Sequence, residues 1–107
     1  MKKTQRTQGL KRRLMYIENK DGMIDGADAR IGWVTFSKTG KTIYYRGREL
    51  LGTGGRGFSS NFMDVATREA YWVSGVKKRG SNAHPAVPVA IEIDSDAAEA
   101  YRELKAG

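Results

Sequence analysis

The sequence predicts a mainly β fold, a β-rich α+β domain. Its core would be a twisted antiparallel sheet or small open barrel of about five or six strands, with one C-terminal helix. Three observations lead there. Short apolar runs rich in β-branched and aromatic residues recur along the chain, separated by Gly- and Asp-rich turns. One run is apolar on both alternations, as expected of a strand covered on both faces. The period then changes near the end, where Ala97, Ala100, Tyr101 and Leu104 form a helical stripe. With 107 residues, one domain is expected.

In chain order, the first 13 residues, "MKKTQRTQGLKRR", are polar and basic and lack aromatic residues. Residues 1–14 are therefore expected to form a disordered basic arm or an N-terminal extension, and residues 15–107 a single β-rich domain. The arm could clamp nucleic acid, or the folded unit could simply start at Met15; both readings stay open. "LMYIE" is a short strand, and "KDGMIDGAD" is a loop. "RIGWVTFS" (residues 30–37) is the strand apolar on both alternations, with Val34 and Phe36 on one and Ile31 and Trp33 on the other. "TIYYRGREL" (residues 42–50) is a second strong strand. "SNFMDV" and "EAYWVSG" are the third and fourth. "VPVAIEI" (residues 87–93) is the next, with Pro88 marking an edge or a strand start. Asp94, Ser95 or Asp96 can cap the final helix, and Asp96 with Glu99 has capping-box spacing.

The formal net charge is +7. Residues 1–13 hold six of the basic residues and no acid, so most of the excess lies in the arm. Within the domain, residues 30–79 carry +7, while residues 14–29 and 80–107 each carry −3. Segregation of this kind suggests one basic face and favours polyanionic partners. The chain has no cysteine, which removes disulfides, thiolate metal sites and cysteine nucleophiles. No run approaches the ~18 apolar residues of a membrane helix. The basic N-terminus lacks the apolar stretch of a signal peptide. A cytoplasmic, bacterial-type protein with no membrane partner is expected.

Two stretches resemble nucleotide motifs. Gly40-Lys41-Thr42 ends like a phosphate-binding loop, but the required upstream glycine is replaced by Thr35, and a strand follows instead of a helix. "SKTGK" reads instead as a hairpin turn, with Gly40 as the left-handed residue of a bulge. "GTGGRG" (residues 52–57) has dinucleotide spacing without the helix that motif must open, so it reads as an inter-strand loop. His84 is the only histidine, and Asp21, Asp25 and Asp28 do not have calcium-loop spacing. No metal or cofactor is expected. Asp64 and Glu69 frame a turn and suit a hairpin better than an acid–base pair. No constellation of residues argues for an enzyme.

Interleaved basic and aromatic residues give the stronger signal. Tyr44 and Tyr45 precede Arg46 and Arg48, and Tyr71 and Trp72 precede Lys77, Lys78 and Arg79. Adjacent strand residues face opposite sides, so each aromatic pair places one ring inward and one outward. An outward ring among cations can stack a base. The first expectation is a small basic domain binding RNA or single-stranded DNA. Tyr44 and Trp72 would be its platforms, and Arg46, Arg48, Arg56, Lys77, Lys78 and Arg79 its phosphate contacts. The alternative is a protein-interaction module using an exposed aromatic strand or sheet edge.

The segments "MYIENK", "ARIGWVTFSKTGKTIYYRGREL", "GFSSNFMDVATREAYWVSGVKKRG" and "VAIEID" together resemble a set of small bacterial proteins, across residues 15–94. Some of these carry the label deoxyxylulose-phosphate synthase, a large thiamine-diphosphate enzyme. This chain has neither the length nor the Gly-Asp-Gly motif that such chemistry needs. The resemblance implies that the folded unit starts near Met15. It also implies that a glycine usually stands at the position of Arg68, where a side chain would bring left-handed strain.

Overall fold

The structure, a computed structural model, describes residues 10–54, 60–78 and 90–106. Among the described residues there are seven strands: β1 (Arg12–Asn19), β2 (Ala29–Phe36), β3 (Thr42–Tyr45), β4 (Arg48–Gly52), β5 (Phe62–Asp64), β6 (Ala70–Gly75) and β7 (Ile91–Ile93). A 3-10 turn (Ser95–Ala97) leads into helix α1 (Ala98–Ala106). Strands β1 to β6 form an antiparallel barrel in the order β1-β6-β5-β4-β3-β2, closed by pairing of β1 with β2. The barrel is therefore closed, and β7 is an extra strand on β2. Among the described residues, no helix is long and apolar enough to cross a membrane.

Strand periodicity builds two cores. Met15, Ile17, Val34, Ile43, Tyr45, Leu50, Tyr71 and Val73 fill the interior together with Ile24 from the β1–β2 connection, and Phe36 and Phe62 pack against them. The opposite alternation of β1 and β2 buries Tyr16, Ala29 and Ile31 in a second cluster outside the barrel wall. Leu14, Trp72, Val76, Ile91 and Tyr101 of α1 pack on this cluster. The helix and β7 thus cover one outer flank, which explains why β1 and β2 are apolar on both faces.

Several elements differ from the sequence reading. Residues 12–14, assigned to the arm, belong to β1, where Arg12 pairs with Thr35. Residues 1–9 lie outside the described residues. The run "TIYYRGREL" is two strands, joined by a two-residue turn at Arg46 (φ 46) and Gly47 (φ 79). Positive φ at both positions defines a type I′ turn, which normally takes Asn-Gly or Asp-Gly; arginine at its first position hides the signal. A second turn of this kind, Asp25 (φ 50) and Gly26 (φ 85), folds the β1–β2 loop back on itself through paired Ile24–Ala27 hydrogen bonds. It buries Ile24 completely. Strand β7 runs parallel to β2 rather than antiparallel. Val87, Pro88 and Val89 lie outside the described residues. Asp94 precedes the 3-10 turn, but its side chain makes no capping hydrogen bond.

The hairpin at residues 37–40 forms as expected. The Gly40 amide donates to the Ser37 carbonyl at 2.9 Å, and Gly40 has φ 77. Asp64 and Glu69 frame the β5–β6 turn. The Asp64 carboxylate accepts from the Ala66 and Thr67 amides, and the Arg68 amide closes the turn onto the Asp64 carbonyl at 2.8 Å.

Asp94 occupies a break in the wall. Strand β2 pairs with β3 only at Thr35 and Phe36, and with β7 only at Ala29 to Ile31. Between these patches Asp94 enters, held by its amide donating to the Ile31 carbonyl at 2.9 Å. It is 5% exposed. Gly32 lies directly beneath it: a Cβ there would stand 2.1 Å from Asp94 Oδ2 and 2.9 Å from Tyr45 Cε1. Contacts under 3 Å require displacement of the carboxylate that seals the gap. Gly32→Ala is expected to cost about 3 kcal/mol, combining overpacking with a disturbed buried ion pair. The cost should shrink markedly when Gly32→Ala is made on Asp94→Ala, a non-additivity measurable by urea denaturation.

Arg68 has φ 69. Releasing this left-handed strain outweighs the extra unfolded-state freedom of glycine. Arg68→Gly is expected to stabilise by roughly 0.5–1 kcal/mol, read as an increase of a few degrees in Tm.

Candidate nucleic-acid interface

In an antiparallel barrel, alternate strand ends meet at the same rim. At one rim β1, β3 and β5 begin and β2, β4 and β6 end. Lys11, Arg12 and Arg13 enter there, beside the turn carrying Lys38 and Lys41, because the Phe36 amide donates to the Lys11 carbonyl at 2.8 Å. Met15 pairs with Gly75, so Lys77 and Lys78 emerge at the same rim. All seven cations are exposed, and the segments that carry them, residues 10–13, 37–41 and 76–78, contain no carboxylate; Lys105 of α1 also reaches the Lys77 carbonyl there, at 3.2 Å. At the opposite rim, Asp21, Asp25, Asp28, Asp64 and Glu69 mix with Lys20, Arg30, Arg46, Arg48 and Arg68. The barrel is therefore polar in charge along its axis.

The mixed rim is internally compensated. Arg46 Nε reaches Asp25 Oδ2 at 2.6 Å, and Arg48 Nη2 reaches Asp25 Oδ1 at 2.7 Å. Hydrogen bonds from Arg48 first and Arg46 second hold the Asp25 carboxyl well below the usual carboxylate range and raise both guanidinium pKa values. Arg30 Nε pairs with Asp94 Oδ1 at 2.8 Å, while Arg30 Nη1 donates to the Asp25 carbonyl at 2.9 Å. Arg46 Nη1 lies 3.4 Å from the same Asp94 oxygen. Tyr45 donates its hydroxyl to Asp94 Oδ2 at 2.5 Å. Burial first, then this hydrogen bond, pushes its pKa upward. A cavity of about 480 Å³ beside Arg46 and Arg48 also meets Asp25, Glu49 and Asp64. Three carboxylates against two guanidiniums make it a poor receptor for phosphate.

The two aromatic pairs resolve as strand alternation requires. Tyr45 and Tyr71 point into the barrel and are buried. Tyr44 lies on the outer face, half-buried, between Thr35 and Glu49 on the neighbouring strands. Trp72 is also on the outer alternation, but it packs with Tyr16, Ile31 and Tyr101 on the flank that carries the helix. The expected site residues are therefore not gathered in one place. Lys77 and Lys78 lie at the basic rim, Tyr44 on the outer wall, Arg46 and Arg48 at the compensated rim, and Trp72 against the outer cluster. Arg56 and Arg79 lie outside the described residues, as does His84.

Trp33 was not singled out from the sequence, yet it shares Tyr44's face. Tyr44 pairs with Thr35, and Trp33 is two residues away on the same side of β2. Its indole donates to the Asp96 carbonyl at 3.0 Å, and the Arg12 guanidinium lies 4.3 Å from its ring centroid. The outer alternation shared by Trp33 and Thr35 was the available signal. Among the described residues, no three His, Cys, Asp or Glu side chains gather as metal ligands.

The fold and site thus define a closed, charge-polarised β barrel with a partly buried aromatic wall. Comparison with known protein families, curated proteins and solved structures finds no match to this chain.

The Asp25 linkage has a definite sign. Its folded pKa is depressed, so its contribution is complete above the unfolded value of about 4 and fades as pH falls towards the folded value. Asp25→Asn is expected to destabilise at neutral pH by up to about 1 kcal/mol, the upper range for solvent-screened pairs. Denaturation at stepped pH should show the wild-type advantage constant above pH ~5 and narrowing below pH ~4.

Proposed function

We propose that this protein binds single-stranded RNA or DNA, with the phosphate backbone at the basic rim and bases against the outer wall of β2 and β3. The carrying observation is that rim: Lys11, Arg12, Arg13, Lys38, Lys41, Lys77 and Lys78 converge from three chain segments, none of which carries a carboxylate at the rim. A one-signed cluster attracts a polyanion, whereas the mixed rim does not. Tyr44 is the stacking platform, and Trp33 under Arg12 extends it. Arg12, Lys41, Lys77 and Lys78 contact phosphates. Arg46 and Arg48 support the barrel through Asp25. A protein that neutralises phosphates with lysine and arginine needs no catalytic group and no cofactor, and its natural setting is the cytoplasm.

Fluorescence anisotropy with an unstructured oligonucleotide tests this. For about five phosphates, the slope of log affinity against log salt should be near −3.5. Lys77→Ala with Lys78→Ala should flatten the slope by about 1.4. Tyr44→Ala should weaken binding roughly 5–100-fold, while Tyr44→Phe retains it. Binding that is indifferent to both salt and Tyr44 would refute the proposal.

The second reading, a protein-interaction module, draws on β7. This three-residue strand pairs with β2 on one side and leaves Ile93 40% exposed. A nuclease-resistant stoichiometric protein partner, lost on Ile93→Asp, would favour it.

A further inference from the structure

A cavity of about 290 Å³ opens at the basic rim, between the start of β1 and the β2–β3 turn. Its walls combine the cations Lys11, Arg13 and Lys38 with the apolar Leu10 and Phe36 and the turn of residues 37–40. Strand alternation separates it from the outer wall. Arg12 pairs with Thr35 and turns outward over Trp33, whereas Arg13 pairs with Val34 on the inward alternation and lines the cavity mouth. The turn adds two donors: the amides of Lys38 and Thr39 have no hydrogen-bond acceptor among the described residues.

We infer that this cavity is a pocket for a nucleotide phosphate monoester, seating the phosphorylated end of the strand bound on the outer wall. The inference rests on the binding mode proposed above and adds end recognition to it. Size sets the first limit. At about 290 Å³ the cavity falls at the lower end of small-ligand pockets, roughly 300–1,000 Å³. It is large enough for one nucleotide. Charge sets the second. A monoester carries about −1.5 to −2 at neutral pH, whereas a backbone diester carries a single charge. Three cations with no carboxylate in the lining favour the more highly charged group. Chemistry sets the third: Phe36 and Leu10 offer an apolar wall for the sugar or base, and the turn amides offer hydrogen bonds to phosphate oxygens. Arg12 and Arg13 lead from the outer wall to the cavity in a single residue step, which gives a bound strand a path to its terminus.

The full chain should be titrated with one oligonucleotide in four forms: 5′-phosphorylated, 3′-phosphorylated, unphosphorylated and circular. A free nucleoside monophosphate is the fifth probe. One phosphorylated form is expected to bind at least tenfold more tightly than the unphosphorylated and circular forms. In Arg13→Ala with Lys38→Ala the ratio should fall to one, with an unchanged thermal midpoint confirming the fold. Tight binding of the free monophosphate, lost in the same variant, also supports the pocket and names the free nucleotide as its ligand. Equal affinity for all four strands with no monophosphate binding overturns the pocket and leaves the outer-wall reading standing. Failure of every strand with retained monophosphate binding does the reverse. Failure of all five probes overturns both, and a phosphate preference that survives the double substitution overturns the assignment to this cavity.

Discussion

The Asp94 carboxylate in the break between β2 and β3 is the constraint on which much of the architecture depends. A buried carboxylate is costly unless it is paired and hydrogen-bonded. Here it draws Tyr45 from inside the barrel, Arg30 from β2 and Arg46 from the β3–β4 turn into one network. Arg30 and Arg46 then reach Asp25 in the β1–β2 loop. One side chain therefore fixes the relation of four chain segments, and Gly32 is the only residue type that leaves room for it. Such networks give less net stability than their number of contacts suggests, since desolvation offsets much of the attraction. Their effect lies in geometry: β7 and α1 have one place to dock, and the outer flank of β1 and β2 is covered as a result.

That network also sorts the arginines. Arg30, Arg46 and Arg48 lie at the rim where carboxylates are available, and they satisfy Asp25 and Asp94. Among the described residues, Lys11, Arg13, Lys38, Lys41 and Lys78 at the other rim form no ion pair of this kind. Both outcomes follow from antiparallel connectivity, which brings residues 11–13, 38–41 and 77–78 together although they are distant in sequence. The local charge of each segment is unremarkable; what is distinctive is their summation at one end.

Features set by local chemistry were legible in the sequence. The turn at Gly40, the helical stripe of Ala97 and Tyr101, and the double-sided character of β2 all follow from period and turn preference. Features set by partners far along the chain were not. Arg46 adopts a conformation that arginine disfavours because the two-residue turn requires it, and its side chain is held by Asp25, 21 residues away. Asp94 looks like a helix cap from its neighbours, but its carboxylate is engaged with Tyr45, 49 residues distant. Parallel pairing of β7 depends on a crossover that leaves no local mark. Arg46 and Arg48 therefore looked like free cations on a strand, and Trp33 looked like core.

Closure of the barrel by β1 and β6 also bears on the order in which the chain can fold. Strand β1 pairs with β2, its neighbour in sequence, but its other edge needs β6, where Tyr16 meets Ser74, which leaves the ribosome after β2 to β5. During synthesis that edge is a bare ladder with apolar residues on both faces, the kind of surface that recruits other chains. Lys11, Arg12 and Arg13 stand at its open end. Charges at that position discourage edge-to-edge pairing. The residues that give the mature rim its charge therefore also guard the unfinished barrel against its own copies.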